Sequence, residues 1–282
     1  MKKIISDKKY VASLEVFLDD SHEDSADIDG ILIQVKKVDP QFLSTLKEKK
    51  HIRILDVGSG NGAKALYLAK ELKKMGITST IDSIEPKATQ RKHLRELHAK
   101  YHNAYLGKVF AKQVHEVEVK AKYDIILVIH CMYEYPRNTD DTLKGLNKLD
   151  RYLTDDGIGV FIIEDPQGDF QKMKRYFYPK FGKKSSVSVT LIKRTLKKAD
   201  ISYVAGESIP FDFSLTHVIS QDPIAIGKNI GFLFSESLTD KPLHDEQYER
   251  VGKWVSNHVK EKKKETYLST PDFAIWFFPR GV

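Results

Sequence analysis

A short apolar run that breaks into three alternating glycines and resumes as a helix-like segment constrains this chain more than anything else in it. The segment reads Ile54-Leu55-Asp56-Val57-Gly58-Ser59-Gly60-Asn61-Gly62-Ala63-Lys64. Glycine tolerates positive φ and carries no Cβ, so such a turn presents backbone N–H groups and a helix N-terminus to an anionic group at close range. Roughly 25 residues after Gly60, at the end of the next apolar run, stands Glu85. In wound parallel sheets a carboxylate at that position accepts both hydroxyls of a ribose. These two features alone fit a nicotinamide cofactor and S-adenosylmethionine equally. A dinucleotide fingerprint, G-x-G-x-x-G, would need Ala63 in its third glycine place.

Around this segment, short apolar runs alternate with helix-like stretches, the pattern of a parallel sheet wound with helices. Strands are expected at 52–57, 79–85 and 157–164, with a weaker one near 108–113. YDIILVIH at 123–130 is the clearest central strand, because a continuous β-branched run means burial on both faces. Helices are expected at 62–75, 87–101 and 139–152. Beyond residue 165 the beat is lost. There we expect helices at 169–177, 187–199, 222–235 and 245–262, strands at 201–206 and 209–219, and a last apolar strand, FAIWFF, at 273–278, inserted antiparallel. Ahead of the sheet, Tyr10, Leu14, Phe17 and Leu18 fall at helical spacing, and the acidic stretch DDSHEDSADIDG reads as a loop or cap. The expected fold is α/β: a Rossmann-like, seven-stranded, mostly parallel sheet with helices on both faces, an antiparallel last strand and a small substrate-side insertion. The expected divisions are an N-terminal helical cap at 1–50, the cofactor-binding core at 51–165, the insertion with remaining core elements at 166–262, and the last strand at 263–282.

With 282 residues, 41% hydrophobic and 30% charged, the chain has enough apolar material for a real core. No apolar run approaches the roughly 20 residues that span a bilayer, so membrane insertion is not expected. The N-terminus lacks the apolar stretch of a signal peptide and Cys131 is the sole cysteine, which together predict a reducing, cytoplasmic setting. The net charge of +7 is diffuse and lacks aromatic interleaving, so nucleic acid is not the expected partner. No Cys/His cluster has metal-ligand spacing, and no metal is expected. Cys131 should point away from His130 across the strand.

The order Asp56-x-Gly58-x-Gly60-x-Gly62, with its strand, helix and Glu85, resembles the first motif of class I S-adenosylmethionine-dependent methyltransferases. Within that superfamily the chain is most similar to the histamine N-methyltransferase-like family. Lys9-Tyr10-Val11-x-Ser13, Phe17-Leu18, Ser21-x-Glu23, Glu85-Pro86, Gln90, Tyr123-Asp124, Ile129, Met132, Tyr133, Gly168 and Tyr176 carry the likeness. The resemblance implies S-adenosylmethionine as cofactor, held by Gly58, Ser59, Gly60, Gly62, Glu85, Gln90, Ile129 and His130. It implies Glu23 as the carboxylate that holds the acceptor, with Tyr10, His130 and Tyr133 around it. The departures concern the acceptor. His130 stands where that family has a glutamine, Glu134 takes the place of a second adjacent tyrosine, and Asp169 and Met173 replace two pocket tryptophans. The acceptor implied is a small amine other than histamine.

In-line methyl transfer needs a nitrogen lone pair near the methyl carbon, and aliphatic amines are protonated at pH 7. Glu23 would position the amine, and His130, with an unperturbed pKa near 6.5, would take its proton. Tyr10 and Tyr133 would add cation–π attraction. Two other readings stay open at this stage: an RNA or protein methyltransferase, and a non-catalytic methyltransferase-like binding domain.

Overall fold

A computed structural model describes residues 23–101, 104–131, 139–182, 188–234, 243–262 and 265–280. The helix expected over 9–18 therefore lies outside the described residues, as do Tyr10 and Tyr133. The chain divides into two compact units, one of them comprising Asp27–Ile163, Val189–Glu207 and Phe273–Val282. This unit opens with helices α1 (Glu23–Val38, from Asp27 on) and α2 (Phe42–Lys49). Strand β1 (His51–Val57) follows, then α3 (Ala63–Lys74), β2 (Thr78–Ile84), α4 (Ala88–Lys100), β3 (Tyr105–Phe110), β4 (Tyr123–Ile129), α5 (Thr139–Tyr152) and β5 (Leu153–Glu164).

Among the described residues these strands form a seven-stranded sheet with two later ones, β6 (Tyr203–Ile209) and β10 (Asp272–Phe277), in the order β3-β2-β1-β4-β5-β10-β6. Neighbours from β3 to β5 run parallel. The late strand β10 is antiparallel, and helices surround the sheet. The order reverses beside β1 and β4, which places their carboxyl ends at the crevice where open α/β sheets bind ligands. All seven residues of β4 are buried, as its unbroken apolar run requires.

One buried carboxylate explains why β3 lies earlier than the 108–113 expected. Asp82, in the middle of β2, accepts hydrogen bonds from Tyr123 Oη at 2.7 Å, Arg53 Nη2 at 2.7 Å and the Lys108 backbone N–H at 2.6 Å. The β2–β3 register shifts at that residue. A Cβ on Gly107 would stand 2.0 Å from Asp82 Oδ1, so only glycine lets the side chain reach the neighbouring strand. Burial and the Asp82 hydrogen bond push the Tyr123 hydroxyl far above its ordinary pKa.

The acidic stretch at 19–30 is not a loop where it is described, because α1 starts at Glu23. Glu23 and Asp24 occupy its first turn, where carboxylates complement the helix dipole, and Ile28, Ile31 and Val35 bury one face. The basic helix expected at 187–199 spans Val189–Lys198 as α7; with Val189, Ile192 and Leu196 buried, it belongs to the sheet unit and not to an insertion.

The other unit contains Glu164–Ser188 and Ser208–Asp272. It comprises α6 (Asp169–Phe177), β7 (Asp212–Ser214), α8 (Pro223–Asn229), α9 (Asp245–Ser256), β8 (Lys260–Lys262) and β9 (Glu265–Ser269). Its strands form an antiparallel sheet in the order β7-β9-β8. Phe170, Phe177, Phe213, Phe234 and Val251 lie in its core. The strand expected over 209–219 is shorter, and the helix expected over 245–262 stops at Ser256, where the Asn257 N–H caps the Lys253 and Trp254 carbonyls. Among the described residues no helix is long and apolar enough to cross a membrane.

Candidate active site

The chain leaves β1 into a turn whose glycines all have positive φ: +67° at Gly58, +54° at Gly60 and +82° at Gly62. Other residues reach this region at a cost of about 1–2 kcal/mol each. The turn is tied to β2 by Gly58 N–H donating to Ile84 O at 2.7 Å, and closed on itself by Gly62 N–H donating to Ser59 O at 2.8 Å. Asn61 Oδ1 accepts the Ala63 N–H at 3.0 Å, and Gly62 caps α3.

Glu85 comes to this turn as the spacing predicts. Its side chain, 4% exposed, accepts the Gly60 N–H at 2.9 Å and the Lys87 N–H at 2.8 Å. A carboxylate offers about four lone-pair positions, and these two bonds orient the acid at the turn. Gln90, in the first turn of α4, is buried, and its Oε1 has no hydrogen-bond partner; Ser59 Oγ is likewise buried and unpartnered. Buried polar atoms are normally satisfied, so both await a donor. A Cβ on Gly60 would meet nothing within 4 Å, whereas one on Gly58 would fall 2.1 Å from Cys131 Cβ. Open space above the middle glycine, an acid at the ribose position and two unpartnered polar atoms fit an adenosyl cofactor.

Cys131 therefore packs onto the glycine turn. The reason is the preceding residue. His130 has φ of +50°, so the chain twists out of strand geometry at the end of β4, although its N–H still donates to Ile162 O at 3.0 Å. Ile129, the last residue of β4, is buried. His130 is 18% exposed at its side chain, and its Nε2 lies 3.5 Å from Asp27 Oδ2. The same Oδ2 receives Lys64 Nζ at 2.5 Å, from the start of α3.

Asp27 and Lys64 escaped the sequence reading. Their signal was faint: Asp27 follows Glu23 by one helical turn in a stretch crowded with acids, and Lys64 looks like any solvated lysine. Glu23 itself is buried, 6% exposed, in the first turn of α1. Gly168 caps α6, while Tyr176 is half exposed under the Lys180 ammonium.

The family model described as "Methyltransferase domain" matches residues 48–203. No curated protein matches the sequence. Among solved structures, YcgJ from Bacillus subtilis is 11% identical with a TM-score of 0.51, covering 86% of this chain and 100% of its own. The BH2331 protein from Bacillus halodurans C-125 is 11% identical with a TM-score of 0.53, covering 84% of this chain and 98% of its own. At such identities the likeness is one of fold. Strand order, glycine turn and acid agree with the family match, which covers more than half of the chain: it belongs to the methyltransferase-domain family, and is an enzyme that takes its methyl group from S-adenosylmethionine.

Proposed function

We propose that the enzyme methylates a nitrogen of a small amine other than histamine, in a cytoplasmic setting. The observation that carries this reading is His130. It is a partly exposed imidazole at the carboxyl end of the central strand, turned by its positive φ and facing a buried carboxylate. Ligands of open α/β sheets bind at such strand ends. The resemblance to the histamine N-methyltransferase-like family, carried by Glu23, Gln90 and the segment after Tyr123-Asp124, supports an amine. The replacement of that family's glutamine by His130 supports a different one.

S-adenosylmethionine supplies, when bound, a methyl group already activated on a sulfonium. The chain's own work is to bind, orient and manage a proton. The glycine turn, Glu85, Gln90 and Ser59 hold the cofactor, with Ile129 and His130 at the strand end beside it. Glu23 receives the cationic amine, and Tyr10 and Tyr133 contribute aromatic faces. His130 takes one proton from the ammonium, leaving a lone pair on nitrogen. The residues that would hold the cofactor and the amine would present that lone pair to the methyl group, which the cofactor would give up to nitrogen, leaving as S-adenosylhomocysteine. Orientation supplies most of the acceleration, because the reacting atoms must approach to about 3 Å in line.

The test is incorporation of label from methyl-tritiated S-adenosylmethionine into a panel of primary and secondary amines that includes histamine. We expect label in an amine other than histamine, and its loss in His130→Gln. Label found only in RNA or protein, or in histamine first, would overturn the assignment.

A further inference from the structure

We infer that Arg91 is a positioning residue for the cofactor site, holding the link from which Glu85 reaches the glycine turn. The inference rests on the reading of Glu85 as the acid that meets the cofactor's ribose, and on nothing about the acceptor.

Three residues, Glu85, Pro86 and Lys87, join β2 to α4. Backbone groups in such a link need partners as much as those of the sheet and helix beside it. The Glu85 N–H continues the sheet, donating to Phe110 O at 3.0 Å, and the Lys87 N–H donates back to Glu85 Oε1 at 2.8 Å. The carbonyls of Glu85 and Pro86 precede the helix, whose first hydrogen bond runs from the Arg91 N–H to Lys87 O at 3.1 Å. Arg91 Nη1 meets both of them. It donates to Glu85 O at 2.9 Å and to Pro86 O at 2.6 Å. One residue, through its backbone and its guanidinium, therefore engages the carbonyls of the whole link.

The helix dipole does not favour this placement. A first turn prefers carboxylates, because the N-terminus carries the positive end of the dipole. Arg91 is the fourth residue of α4, whose first turn contains no acid and whose N-cap Lys87 makes no side-chain cap. The clamp accounts for the cation. Side chains on a helix lean toward its N-terminus, so a long one at the fourth position reaches back over the link.

The link gives the Glu85 carboxylate its direction. Oε2 accepts the Gly60 N–H from the turn, and Oε1 accepts the Lys87 N–H from the link itself. A binding group keeps its geometry to within about 0.5 Å only where the residues behind it are held in turn. Both clamp bonds come from one nitrogen, so the ammonium of a lysine can make them. Methionine, of similar length and helix propensity, has no proton to donate.

The test is a double-mutant cycle on the full chain, read by calorimetry with S-adenosylhomocysteine. Arg91→Met should weaken binding about tenfold, while Arg91→Lys stays within about threefold of the unaltered protein. In Glu85→Ala, which weakens binding by itself, adding Arg91→Met should cost less than about threefold more, because the acid it serves is gone. NMR hydrogen exchange without ligand gives a second reading: the Gly60 amide should lose protection in Arg91→Met and keep it in Arg91→Lys. Should Arg91→Met not fold, Arg91→Gln takes its place with the same expectations. A merely structural Arg91, or one that touches the cofactor itself, gives equal losses in both Glu85 backgrounds. That result, undiminished binding by Arg91→Met, an unchanged Gly60 amide, or a lysine variant as weak as the methionine one overturns the inference. Glu85→Ala binding as tightly as the unaltered protein removes the ribose reading and this inference together, whereas a cycle without coupling removes this inference alone. No acceptor enters either measurement, so a failed amine panel leaves the result standing.

Discussion

Two glycines in the same turn share a backbone conformation yet should fail in different ways when given a methyl group. Gly58 and Gly60 both have positive φ, so alanine at either costs about 1–2 kcal/mol of strain. At Gly58 the added Cβ would also fall 2.1 Å from Cys131 Cβ and 2.9 Å from its Sγ. Relieving such overpacking costs a further 1–3 kcal/mol or about that. At Gly60 the new methyl meets no protein atom within 4 Å and enters the space assigned to the cofactor. Gly58→Ala should therefore be less stable than Gly60→Ala by about 1–3 kcal/mol, which for a chain of this size is several degrees of melting temperature. Gly60→Ala should keep most of its stability and lose at least tenfold in affinity for S-adenosylhomocysteine. Because the clash at Gly58 is with a Cβ, Cys131→Gly should recover the steric part and Cys131→Ala should not. A double-mutant cycle of Gly58→Ala with Cys131→Gly isolates that coupling at about 1–3 kcal/mol. Thermal melts of the unaltered protein, the four single variants and the double variant, with calorimetry on Gly60→Ala, supply the measurements. Equal melting temperatures for the two alanine variants, a coupling of zero, or undiminished binding by Gly60→Ala would refute the reasoning.

Glu85→Gln removes the charge while keeping the shape. It should weaken S-adenosylhomocysteine by about 1.5–3 kcal/mol, or roughly 10–150-fold in calorimetry, the range for hydrogen bonds to a charged group. His98, buried on α4, has its pKa lowered to about 4 by burial. The unfolded chain takes up that proton near pH 6.5 and the folded chain resists until about 4, so the stabilising contribution is full above pH 6.5 and is lost as pH falls through this window. The loss amounts to about 3 kcal/mol. Urea midpoints measured from pH 7 to 4 should fall less in His98→Gln than in the unaltered protein, and parallel curves would contradict the assignment.

Sequence alone determined what is local in this protein. The strand at 51–57, its glycine turn and the helix after it are written in consecutive residues, since φ tolerance and apolar periodicity are properties of neighbours along the chain. The strand at 123–129 was legible for the same reason: a run of β-branched residues has one stable fate, burial on both faces. Even Glu85 was legible, because its spacing from the turn spans one βα unit of nearly fixed length. Tertiary structure decided what depends on groups distant in sequence. No periodicity announces that Gly107 admits the Asp82 side chain and so shifts the β2–β3 register, or that Cys131 lies on Gly58. Nor does any spacing rule bring Lys64, Asp27 and His130 to one carboxylate oxygen, for their meeting depends on how three elements pack. A buried charge must find its counter-charge wherever the fold delivers one, and that partner is chosen in space, without any mark in the order of the residues.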